Sequence, residues 1–185
     1  MSSLHSPKGP ADAIEQFNLG NSYANGENAP QDDTLAAFWY RKAAEQGLAV
    51  AKCNLGVCYL YGKGVPISAY VAADWFLKAA MQGEVTAQYN LGILYSSGTG
   101  VKKHLGAAAA WFLKASDQGY GNAKIKLGHL LDSGVKPASP EPCEAIDPSA
   151  LNVDFKKELQ TRKALFPRNS PEPEAPKVKV TPCPT

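Results

Sequence analysis

The chain has 185 residues, 44% of them hydrophobic and 19% charged, with 19 basic and 17 acidic side chains. That length suits one domain, or one domain plus a tail, and can bury a real core. A net charge of +2 offers no clustered basic face for nucleic acid, and no apolar run approaches the ~18 residues of a membrane span.

The first ten residues, MSSLHSPKGP, lack the apolar h-region of a secretory signal, so a cytoplasmic location is expected. Gly9-Pro10 then opens the first predicted helix, with proline at a helix start. Seven helices are predicted, near 11–24, 33–46, 49–60, 68–82, 85–96, 104–118 and 121–132. Self-similarity fixes them. Leu-Gly recurs at Leu19-Gly20, Leu55-Gly56, Leu91-Gly92 and Leu127-Gly128, always 36 apart. Trp39, Trp75 and Trp111 keep the same step, as do Gly47, Gly83 and Gly119, each preceded by glutamine. Each unit reads as two helices. Ala87, Leu91, Leu94 and Tyr95 form one stripe of the first helix, and Ala72, Trp75, Phe76, Ala79 and Ala80 one stripe of the second.

A glycine in mid-helix costs ~1 kcal/mol against alanine, so its return in every copy implies that a neighbouring helix approaches the backbone there. The Gln-Gly element supplies the residue that ends the second helix. Asp32, Ser68 and His104 share the register just before the second helix, where Asp and Ser cap well and His caps poorly. One unit cannot bury its Trp and Leu stripes alone, so the expected fold is all-α, a right-handed α-solenoid of helix-turn-helix repeats. The first helix of each pair is expected to line its concave face.

After Asp132 the composition changes: ten of the 14 prolines lie between Pro137 and Pro184. The chain therefore divides into an N-terminal extension (1–10), a solenoid of three and a half repeats (11–134), a linker with a capping helix (135–167) and a Pro-rich tail (168–185) expected to lack order. Asp147-Pro148 can start the capping helix, with Leu151, Phe155 and Leu159 on one stripe. In the tail, Lys177-Val178-Lys179-Val180 has the alternation of a strand able to lie in a groove.

The cysteines form no CxxC or zinc spacing. Cys53 and Cys58 are roughly 7.5 Å apart by helical rise, beyond comfortable disulfide reach. Cys143 and Cys183 can pair only in an oxidising compartment. No nucleophile has a local base, and Gly62-Lys63-Gly64 lacks the spacing of a phosphate loop. No catalytic, cofactor-binding or metal-binding residue is assigned. The tryptophans, at one repeated register, read as packing residues rather than as a platform for bases.

The residues carry a resemblance. Ala51, Leu55-Gly56, Tyr59, Gly62, Gly64-Val65, Trp75-Phe76, Lys78-Ala79-Ala80 and Gln82-Gly83 stand in the order of the Sel1-like repeat, and the third copy repeats it. The chain thus resembles the Sel1-like repeat family, within the tetratricopeptide-repeat-like superfamily, over about residues 14–134. The first copy has Asn28-Ala29 where Gly-Val is expected, so its loop is expected to differ. The resemblance implies a non-enzymatic adaptor or scaffold for a partner protein or peptide. It also implies three ladders of contact positions: Phe17, Cys53, Tyr89, Ile125; Asn21, Val57, Ile93, His129; and Asn25, Tyr61, Ser97, Ser133.

From these we expect a partner-binding face of Asn21, Asn25, Cys53, Val57, Tyr61, Tyr89 and Ile93, anchored on the two tyrosines. The competing reading sends part of the first ladder into helix–helix core and fills the face with the protein's own tail. Asn18, Asn54 and Asn90 are assigned to bonds between neighbouring repeats. The expected partner is protein, with neither nucleic acid nor membrane, and the chain is expected to be a monomer. The alternatives are a dedicated effector or immunity-type inhibitor of one enzyme and, behind it, a small-molecule binder or enzyme using the same groove.

Overall fold

The computed structural model describes residues 12–138. The capping helix, the Pro-rich tail, Cys143 and Cys183 lie outside the described residues, as do Gly9 and Pro10. Within them run seven helices: α1 (Ala13–Asn25), α2 (Asp33–Glu45), α3 (Ala49–Tyr61), α4 (Ala69–Ala80), α5 (Val85–Ser97), α6 (Leu105–Asp117) and α7 (Gly121–Asp132). These match the predicted helices to within two residues, and each packs chiefly on the helices before and after it in sequence. The fold is an all-α solenoid. Helix α1 begins at Ala13 because the Asp12 carboxylate accepts hydrogen bonds from the Ile14 and Glu15 amides at 3.0 and 3.4 Å.

The second helices α2, α4 and α6 are capped at one register. Asp32 Oδ1 accepts from Thr34 N at 2.9 Å and Ser68 Oγ from Val71 N at 3.3 Å. His104 also caps, against its weak propensity: its Nδ1 accepts from Ala107 N at 2.9 Å. Imidazole has one acceptor lone pair when neutral, enough for one orphan amide of the first turn.

The repeated mid-helix glycines have the predicted cause. A Cβ at Gly20 would lie 2.7 Å from the Tyr40 ring, and one at Gly56 2.8 Å from the Phe76 ring. The Phe112 ring presses on Gly92 in the same way. In each unit, therefore, the second helix presses the Cδ1–Cε1 edge of an aromatic ring on the backbone of the first. The core along this seam is Leu55, Tyr59, Phe76, Leu91, Tyr95 and Phe112, all almost fully buried. Trp39, Trp75 and Trp111 are buried beside it.

The loop of the first copy corrects the expectation that it differs. Asn28 adopts φ +62°, next to +67° and +70° at Gly64 and Gly100, and Ala29 is buried like Val65 and Val101. Asparagine is the side chain that best tolerates this left-handed region. Glycine is obligatory at 64 and 100 for a second reason: a Cβ there would run into the backbone of Asp33 or Ala69, the first residue of the preceding second helix. Among the described residues no earlier repeat stands against Asn28, so a side chain fits.

Candidate functional site

At the junction of the first two repeats, α1, α2 and α3 surround a hollow of about 220 Å³ lined by Asn25, Asp33, Tyr40, Asn54, Val57, Cys58 and Lys63 with two alanines. The Tyr40 ring, which covers Gly20, carries a hydroxyl that donates to Asn21 Oδ1 at 2.8 Å. The Asn54 side chain lines the same hollow and is polar toward this phenol. Burial raises the phenol's pKa, the Asn54 side chain lowers it in part, and Cys58 and Asp33 add to the rise. Asn21 is thus tied to Tyr40 within the first repeat, and Asn54 of the second repeat faces the same phenol across the hollow.

The predicted contact residues divide. Asn21 is half-buried and engaged with Tyr40, Asn25 is exposed, and Val57 is half-buried; Asn25 and Val57 line the hollow and Asn21 stands behind it. Tyr61, one turn beyond Val57, is 66% exposed, and Ile67 in the following loop is 73% exposed. Tyr89 and Ile93 lie one repeat further on, both half-buried against the core. The Tyr89 ring packs on Phe112 and Tyr120, with centroids 5.7 and 5.0 Å away. Cys53 is placed in the core at 3% exposure, as the competing reading of its ladder has it. Burial, then Glu84, pushes its thiol up to about 12. Burial likewise pushes the Cys58 thiol up to about 11, with Asp33 acting in the same direction.

Sequence reasoning passed over Lys63 and Asp33 as lining residues. The only signal was the Gly62-Lys63-Gly64 loop, and Lys63 reaches the first repeat because Gly64 lies against the Asp33 backbone. It also passed over a hollow of about 330 Å³ between α4, α5 and α6, lined by Leu77, Met81, Gln88, Trp111 and Lys114 among others. There the Lys114 ammonium sits 4.9 Å from the Trp111 ring centroid, a cation–π contact repeated by Lys78 over Trp75 at 4.8 Å. The Gln-Gly glutamines have a task as well. Gln46 and Gln118 donate to Gln16 and Gln88 at 2.9 and 2.8 Å, and Gln82 accepts from Lys52 at 2.9 Å, each tying the end of a unit to its start.

Among the described residues no group of three or more His, Cys, Asp or Glu side chains could hold a metal ion. No described helix is long and apolar enough to cross a membrane. What the arrangement offers is amides, hydroxyls and apolar side chains on consecutive repeats.

The family model described as Sel1 repeat matches residues 16–48, 49–84 and 85–120, more than half of the chain. The chain belongs to the Sel1 repeat family, whose members generally mediate protein–protein interaction on a repeat scaffold and are generally not enzymes. Two solved structures are similar to it. A protective antigen present in uropathogenic Escherichia coli strains, displaying an SLR fold, is 38% identical, with a TM-score of 0.65 over 66% of this chain and 26% of its own. A Sel1 repeat protein from Oxalobacter formigenes is 34% identical, with a TM-score of 0.66 over 72% of this chain and 56% of its own. The chain therefore spans about a quarter of the first and just over half of the second. No curated protein matches it.

Proposed function

We propose that this chain is a non-enzymatic adaptor that holds a segment of one partner protein along the face of α1, α3 and α5. The hollow at the first repeat junction carries this reading, because Asn25, Val57, Asn54 and Lys63 meet there beside an open Tyr61. A partner segment lies with an apolar side chain on Tyr61 and Val57, and its backbone takes hydrogen bonds from Asn25 and Asn21. Tyr89 and Ile93 extend the apolar floor into the next repeat. Cys53 serves as packing beneath the face and is not a contact. The chain acts as a monomer, without cofactor and without nucleic acid.

The test is affinity capture from native lysate with wild type, Tyr61→Ala, Asn25→Asp and, as a control on the opposite hollow, Met81→Ser. Met81 is 68% exposed, so its replacement leaves the fold intact. One protein retained by wild type and Met81→Ser but lost by Tyr61→Ala and Asn25→Asp is the expected result. Retention by Tyr61→Ala together with loss by Met81→Ser would move the site to the second helices and end this reading.

A further inference from the structure

The seam of rings on glycines stops one helix short. Gly128 stands at the register of Gly20, Gly56 and Gly92, yet no described atom lies within 4 Å of where its Cβ would be. Leu131, at the register of Tyr23, Tyr59 and Tyr95, is 47% exposed, whereas those three are 5%, 1% and 2% exposed. Helix α7 is thus a first helix without its second, and it keeps a glycine that costs ~1 kcal/mol for which the described residues give no use.

The chain continues from 139 to 185, and its spacing names what is missing. Tyr40, Phe76 and Phe112 each stand eight residues after the cap of their helix, Asp32, Ser68 and His104. Phe155 stands eight residues after Asp147, a good cap residue followed by proline at the first helical position. Leu151 and Leu159 fall at the registers of the small buried residues Ala36 and Ala44. We propose that residues 147–159 are the second helix of a fourth repeat, displaced by a longer Pro-rich loop, and that the Phe155 ring closes over Gly128 of the same chain. The solenoid then ends on a closed pair rather than on a half-repeat, and the α7 surface is not a docking site for another protein.

The full chain tests this by a double-mutant cycle read as Tm. With Phe155 seated on Gly128, Gly128→Ala lowers Tm in the wild-type background and raises it in Phe155→Ala, where the ring no longer occupies the space. Phe155→Leu replaces Phe155→Ala if the latter does not fold. A rise in Tm for Gly128→Ala in the wild-type chain would overturn the proposal, since the glycine would be open. A fall in both backgrounds would equally overturn it, because something other than Phe155 would cover the site. A sign reversal accompanied by a Tm that climbs with protein concentration would assign the covering ring to a second copy, and would overturn closure within one chain.

Discussion

The Phe76 ring occupies the space that a Cβ at position 56 needs: built there, that atom would lie 2.8 Å from both Cδ1 and Cε1 of the ring. Two helices of one unit therefore touch backbone to ring, with the Phe76 side chain against the bare Gly56 backbone. Close approach of this kind is possible only at glycine, and it sets the distance between the layers on either side.

Gly56→Ala should accordingly destabilise, although alanine is the better helix former by ~1 kcal/mol. Overpacking of a close seam costs about 1–3 kcal/mol, which the helix-forming gain offsets in part, so a net loss of up to about 2 kcal/mol is expected. Urea unfolding followed by far-UV circular dichroism measures it. A higher midpoint for Gly56→Ala would show that Phe76 yields freely and that the seam is loose.

Much of this fold was legible because a repeat prints its core several times. Leu-Gly, Trp and Gln-Gly at a fixed step gave the helices, their ends and the cause of the glycine. The site was less legible for a physical reason: one register need not have one environment. Cys53 and Tyr89 share a ladder, yet Cys53 is small enough to sink into the core while Tyr89 spreads over Phe112 and Tyr120. Lys63 and Asp33 meet only because a loop glycine of one unit lies on the helix start of another, a long-range contact that no local pattern carries.

Tyr61 and Tyr89, paired in sequence reasoning as twin anchors, should separate in experiment. Tyr61→Ala removes a side chain that is 66% exposed and should change stability by no more than about 0.5 kcal/mol. Tyr89→Ala removes a ring packed on two others and should cost about 2–3 kcal/mol. Thermal melts of the two variants decide it, and equal losses would mean that Tyr61 is packed in solution.

His104 caps α6 through a single imidazole lone pair, where Asp32 uses a carboxylate that accepts from two amides. His104→Asp should stabilise by about 0.5–1 kcal/mol, adding a second acceptor and a negative charge at the helix N-terminus. Chemical denaturation at low salt, where the charge is least screened, gives the largest difference. An unchanged midpoint would mean that the cap contributes nothing at this position.

Tyr40→Phe deletes the hydroxyl that donates to Asn21 and faces Asn54 of the next repeat, while leaving the ring against Gly20. The loss should be about 1 kcal/mol, the usual worth of a partly buried hydrogen bond whose partners can still reach water. Because the ring stays, hydrogen exchange should rise at the junction of the first two repeats and not at α5 or α6. A uniform rise along the chain would instead mark global destabilisation.

The two described cysteines make alkaline pH a probe of the core. Burial pushes Cys53 up to about 12 and Cys58 up to about 11 from an ordinary value of 9.0. Native thiols therefore hold their protons where unfolded ones lose them. Below the unfolded pKa both states are protonated and stability does not depend on these groups. As pH rises past 9 the unfolded chain releases protons first, so stability falls until the native thiols also ionise, by up to about 1.4 kcal/mol per pH unit for each thiol. The phenols of Tyr23, Tyr40 and Tyr70, each raised chiefly by desolvation, act in the same direction at higher pH, and Lys52, whose pKa burial lowers, acts against it. Between about pH 9 and about pH 10 the thiols dominate, because the phenols start from a higher ordinary value. Urea midpoints across that interval should drop for the wild type and stay nearly flat for Cys53→Ala/Cys58→Ala. Parallel slopes would mean that the thiols reach solvent, and native-state alkylation at neutral pH, expected to be negligible at both positions, would then be rapid.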